Sequence, residues 1–135
     1  MAVGTVRIDL HVVAGADAVW NVIGDFAAGP LRMAPGHVTG CVSRGDTRTV
    51  TFADGTVARE RLVAVDHERR RIVYAVIGDT LRPQHDNASM QVLPVDETSC
   101  TLVWIHDVLP DDLALPMKSA MQAADGVITA ALGGR

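Results

Sequence analysis

Residues 84–108 read QHDNASMQVLPVDETSCTLVWIHDV, and the period of this stretch decides the fold. From Gln84 to Val92 the odd positions carry His85, Asn87, Ser89 and Gln91, and the even ones Asp86, Ala88, Met90 and Val92. Alternation with a period of two marks a strand with one wet and one buried face. Pro94-Val95-Asp96-Glu97-Thr98 then turns the chain, and Leu102, Trp104 and His106 share the inward face of a second strand. Asp86 and His106 are the two residues that break the apolar pattern. Pairing the strands about that turn sets them opposite each other, where Cβ atoms lie about 5 Å apart. A carboxylate meeting an imidazole on the inner face of a sheet is candidate chemistry.

Outward from this hairpin the same alternation recurs. Thr5–Val12 points Val6, Ile8, Leu10 and Val12 one way, as a first strand. Gly15-Ala16-Asp17 ends it and opens a helix carrying Trp20 and Ile23, with Asp17 near the positive end of the helix dipole. Gly29-Pro30 and Pro35-Gly36 leave room for one more short helix. Residues 37–43 and 48–53 form a hairpin through Arg44-Gly45-Asp46, and Asp54-Gly55 signals the next turn. In Val57–Val65, Arg59 and Arg61 take the wet face, which leaves Ala58, Glu60, Leu62 and Ala64 inside. Arg71–Ile77 turns Ile72, Tyr74 and Val76 inward. After Leu109-Pro110, a helix from about Asp111 to Leu132 repeats Met117, Met121, Ala124, Ile128 and Leu132 at three- and four-residue spacing.

This order predicts an α+β fold. A seven-stranded antiparallel sheet, with two short helices between strands 1 and 2, curves around a long C-terminal helix. A strongly twisted sheet wrapped round a helix leaves a cavity between them, where small ligands sit.

The chain of 135 residues, read as a single domain over 1–135, carries a net charge of −4 and no basic cluster beyond Arg69-Arg70-Arg71. That argues against nucleic acid and against an anionic membrane surface as partner. No apolar run approaches the roughly 20 residues of a spanning helix. Cys41 and Cys100 lack metal-ligand spacing and read as free thiols of a cytoplasmic protein. A nucleophile elbow, phosphate loop, dinucleotide fingerprint and zinc motif are all missing from the sequence, so the expectation is no cofactor and no metal.

"VWNVIGDF" at 19–26, "PGHV" at 35–38, "DGTVARERLVAVD" at 54–66 and "TLVW" at 101–104 occur in this order over nearly the whole chain. With them the sequence resembles the START-like (Bet v 1-like, SRPBCC) superfamily, and within it the bacterial polyketide cyclase/dehydratase-type branch. The resemblance implies a helix-grip fold with a ligand cavity under the C-terminal helix. It also implies that Glu60 stands where related plant hormone receptors carry a pocket carboxylate, and that Tyr74, Val76, Asp86 and Ala88 line the pocket. Met33 departs from a tryptophan common in the bacterial branch, and Asp86 from a position that is often aromatic.

Three titratable groups, Glu60, Asp86 and His106, thus fall in one apolar layer, where each needs a partner or a function. Asp86 with His106 reads as a catalytic dyad or as a structural ion pair. Glu60 reads as an anchor for substrate or water, or as an acid paired with a neighbouring arginine. Tyr74 and Trp104 are pocket lining or core, His37 a candidate for the pocket rim, and Met117 and Met121 the adaptable lining of the helix. The function expected from all this is a cofactor-independent enzyme that cyclises, dehydrates or isomerises a small hydrophobic carbonyl compound by proton transfer. Its catalytic residues are His106, Asp86 and Glu60. The alternative is a non-catalytic carrier or sensor of a hydrophobic metabolite. Val103 and Ile105, on the outward face, could form a homodimer.

Overall fold

A computed structural model describes residues 3–134. Strand β1 (Thr5–Val12) is followed by helices α1 (Ala16–Ile23) and α2 (Gly29–Met33). Six strands then follow in sequence: β2 (Val38–Arg44), β3 (Thr47–Phe52), β4 (Val57–Asp66), β5 (Arg71–Asp79), β6 (His85–Asp96) and β7 (Ser99–Leu109). A single 3₁₀ turn (Asp111–Leu113) leads into α3 (Ala114–Leu132). The strands form one antiparallel sheet in the order β1-β7-β6-β5-β4-β3-β2. This is the helix-grip fold: an open seven-stranded antiparallel sheet packed against a long C-terminal helix.

The helix grips through one face. Met117, Met121, Ala124, Ile128 and Leu132 are buried, at spacings that return to the same side every three or four residues. Asp111 and Asp112 lie in the 3₁₀ turn, so the regular helix begins three residues later than their charge suggested. Pro116 sits in its first turn, where a missing N–H costs no hydrogen bond. Leu10, Val12, Val19, Ile23 and Leu102 are fully or nearly fully buried from the sheet and α1 side.

Two irregularities correct the expected registers. Pro94 pairs with Cys100 and Asp96 with Ser99, with a bulge between them, so only Glu97 and Thr98 make the turn. Asp96 places it there by accepting the Thr98 N–H at 2.9 Å and the Ser99 hydroxyl at 2.9 Å. His106 therefore stands opposite Ala88, and Asp86 opposite Val108. The acid and the imidazole are diagonal neighbours rather than a directly opposed pair. A shift of two positions keeps both on the same face. In β4 a bulge between Leu62 and Ala64 reverses the alternation, so Ala64 is exposed and Val65 packs against the core instead. On the outer face, Val103 is buried and Ile105 half-buried, with Arg7, Asp9, Ser89 and Gln91 as their cross-strand neighbours.

Candidate functional site

The Asp54-Gly55 turn fixes the first part of the site. Gly55 adopts φ +91°, a left-handed conformation that favours glycine, and Asp54 accepts the Thr56 N–H at 2.9 Å. This turn pairs Arg48 of β3 with Glu60 of β4. Both point inward, and Arg48 Nε donates to Glu60 Oε1 at 2.8 Å with side-chain exposures of 5% and 9%. A second guanidinium N–H goes to the Phe26 carbonyl at 2.9 Å. The guanidinium carbon also lies 4.4 Å from the centre of the Phe26 ring and 4.9 Å from that of Tyr74. Burial pushes the Glu60 carboxyl above its ordinary value, against the opposing charge and hydrogen bond of Arg48. Arg48 was not among the residues singled out from sequence, although Glu60 paired with an arginine was one of its two readings.

The second part lies at the other end of the polar row. The β5–β6 ladder runs from Arg71↔Gln91 to Tyr74↔Ala88. Beyond it Asp86 Oδ1 accepts the Val76 N–H at 3.1 Å, so a side chain takes over the work of the ladder. Asp86 Oδ2 meets His106 Nδ1 at 3.0 Å, with side-chain exposures of 0% for the acid and 3% for the histidine. Both carboxylate oxygens of Asp86 are thereby engaged. An acceptor at Nδ1 favours the tautomer that carries its proton there and leaves Nε2 as the basic nitrogen.

Between these two pairs stand the aromatic groups. Trp104 Nε1 donates to the Tyr74 hydroxyl at 3.1 Å. The His106 ring is edge-on to Tyr74 at 5.8 Å and tilted against Trp104 at 5.9 Å. Burial, aided by the nearby Glu60 charge, pushes the Tyr74 hydroxyl well above its ordinary pKa of 10.0, so it remains a neutral donor.

Two neighbouring pockets beneath α3, both partly open to solvent, run along this row. The larger has a volume of about 210 Å³, and its walls include Glu60, Tyr74, Val76, Trp104, His106 and Met117. The smaller, about 60 Å³, is bounded by Arg48 and Glu60 among the apolar side chains of Met33, Val50, Met90 and Ile128. His37, Phe52, Glu60, Tyr74, Trp104 and Ala124 border both pockets. Of the residues expected at the site, Glu60, Tyr74, Val76, Trp104, His106, His37, Met117 and Met121 reach the cavity. Two do not. Asp86 does not border it but bonds to two residues that do, His106 and the Val76 N–H, and Ala88, fully buried across from His106, lies behind the wall. Leu81, from the β5–β6 connection, borders the larger pocket as well and carried no periodic signal.

A family model described as "Polyketide cyclase / dehydrase and lipid transport" matches residues 3–134. The chain belongs to this family. Both halves of that description concern hydrophobic small molecules, which agrees with a largely apolar cavity. Among solved structures, a protein from Bacillus thuringiensis superposes with a TM-score of 0.83 at 15% identity, covering 95% of this chain and 98% of its own. A Thermobifida fusca protein is 28% identical, with a TM-score of 0.72 and coverages of 96% and 90%. The Zhui aromatase/cyclase of a Streptomyces species superposes with a TM-score of 0.72 at 17% identity, covering 95% and 90%. These likenesses establish the shared fold. No curated protein matches the sequence. Among the described residues no helix of this cyclase/dehydrase family member is long and apolar enough to cross a membrane, and no cluster of ligating side chains could hold a metal ion.

Proposed function

We propose that this family member is an acid–base enzyme that removes a proton next to a carbonyl group and uses the resulting enolate for ring closure or loss of water. The observation that carries the reading is the His106 ring, which borders the cavity while its Nδ1 is held by a fully buried Asp86. His106 Nε2 takes the proton from the carbon beside the carbonyl. Charge then develops on the carbonyl oxygen, where the Tyr74 hydroxyl can donate to it. In ring closure, the enolate carbon bonds to a second carbonyl carbon, whose oxygen collects the proton from the imidazolium. In dehydration, the same proton leaves with the expelled hydroxyl group as water. Asp86 acts through the histidine and is a positioning residue.

The test uses a simple probe, the bicyclic ketone 2-tetralone in D₂O, followed by NMR. Catalysed exchange of the protons beside its carbonyl, falling about 10²–10⁴-fold in His106→Ala while the ketone still binds, supports the proposal. Binding without any exchange above buffer refutes it. A carrier of a hydrophobic metabolite is the second reading, supported by the lipid-transport half of the family description. On that reading His106→Ala weakens binding and there is no rate to lose.

A further inference from the structure

We infer that Trp104 is a positioning residue: its indole N–H occupies the Tyr74 oxygen and thereby turns the Tyr74 O–H proton toward a ligand oxygen. The kinetic effect of this arrangement rests on the acid–base reading; the arrangement itself does not.

The sheet register brings the rings together. Tyr74 of β5 and His106 of β7 both pair with Ala88 of β6, and Trp104 pairs with Met90 beside them. Ala88 is fully buried and carries only a methyl group, so the two rings meet across it with centres 5.8 Å apart. From the Met90 position Trp104 reaches diagonally over β6, until Nε1 lies 3.1 Å from the Tyr74 oxygen.

The chemistry of the two groups leaves one assignment. An indole nitrogen can only donate, whereas a phenol donates one proton and accepts through its lone pairs. Tyr74 therefore accepts from Trp104, and its own proton points elsewhere. Among the described residues that hydroxyl makes no other hydrogen bond. Both side chains border the two pockets, so the proton is available to a ligand oxygen there. Without the indole, the O–H of a phenol swings between two orientations in the plane of its ring. The indole also polarises the O–H, because hydrogen bonds in a chain strengthen one another. As negative charge builds on the ligand oxygen, the Tyr74 oxygen gains electron density and the indole N–H binds it more tightly.

Trp104 has a second route to the reaction, since its ring also tilts against His106 at 5.9 Å. A double-mutant cycle on proton exchange of 2-tetralone separates the two routes. Trp104→Phe should lower kcat about tenfold with KM nearly unchanged, less than the roughly 10²–10³-fold of losing an oxyanion donor outright. Tyr74→Phe should show that larger loss, and adding Trp104→Phe to it should cost no more than about twofold further. Losses that multiply would show Trp104 acting through His106 or through packing, and overturn the inference. A second measurement needs no turnover and no Trp104 variant. The ¹H–¹⁵N resonance of the Trp104 indole should move upfield in Tyr74→Phe, and downfield in the natural protein on addition of 2-tetralone. An indole resonance indifferent to either change overturns the inference as well. The two proposals fail separately. Exchange through His106 with losses that multiply would overturn only the role of Trp104. An indole resonance that answers to the ketone and to Tyr74→Phe, in a protein that exchanges no protons, would overturn only the acid–base reading.

Discussion

Replacing Arg48 with Met removes the one cation that, among the described residues, pairs with Glu60, while roughly keeping the volume of the side chain. It leaves a buried carboxylate with its Oε1 acceptor unfilled, opens the Phe26 carbonyl, and deletes contacts with two aromatic rings. Breaking a buried ion pair by removing one partner costs about 3–5 kcal/mol, and the lost cation–π contacts add about 0.5–2 kcal/mol. A deficit near 4 kcal/mol is a large part of the roughly 5–15 kcal/mol that stabilises a protein of this kind. Urea unfolding followed by tryptophan fluorescence measures it. The pH dependence identifies the cause. Burial already holds the Glu60 carboxyl above its ordinary 4.5, with Arg48 the strongest opposing influence. Without Arg48 it rises further. A carboxyl whose pKa is higher folded than unfolded supports folding below its unfolded pKa and loses that support as pH climbs through the folded value. The deficit of Arg48→Met is therefore smallest near about pH 4 and grows toward about pH 8. Converting Glu60 to Leu as well removes the uncompensated charge, and the double variant should recover most of the loss. A deficit under about 1 kcal/mol at neutral pH, or one that does not change with pH, would refute this reasoning.

Three other outcomes follow from the same structure. Asp86→Asn keeps the shape but lets an amide N–H face His106 Nδ1, so proton exchange on 2-tetralone should fall about 10–10³-fold with ligand affinity unchanged; a change in affinity alone would mark Asp86 as merely structural. Met121→Asp places an unpaired charge where the side chain is 1% exposed, and circular dichroism should show loss of the folded state, at a cost of several kcal/mol. Cys41 and Cys100 are both free, and burial raises both thiols, so an intact mass should show no disulfide and a thiol reagent should reach the fully buried Cys100 only on unfolding.

Which face a residue takes was far easier to read than which residue it meets. Period-two alternation gave Asp86, His106, Glu60 and Tyr74 the inward side, because a slip of two residues leaves a side chain on its own face. The partner depends on turn chemistry. Asp96 pulls the β6–β7 turn toward Glu97-Thr98, which moves the register by three, and the bulge takes one back, so that His106 faces Ala88 rather than Asp86. Ala64 failed for the related reason that a bulge swaps the faces beyond it. Arg48 was legible and passed over. It shares a phase with Val50, and the Asp54-Gly55 turn pairs it with Glu60, yet an arginine on a strand is ordinarily given to solvent.

That omission bears on why the fold tolerates a polar row in its core. Among the described residues no buried side-chain nitrogen or oxygen lacks a partner. Arg48 neutralises Glu60 at one end, Asp86 holds His106 at the other, and Trp104 satisfies Tyr74 between them. Each partner also fixes an orientation, and the atoms left over, His106 Nε2 and the second oxygen of Glu60, belong to side chains that border the same cavity. Apolar residues of similar volume would pack there at least as well as purely structural ion pairs. On the proposed acid–base reading the arrangement is preorganisation: the charges are held before the ligand arrives, so that little reorganisation is needed when a proton moves.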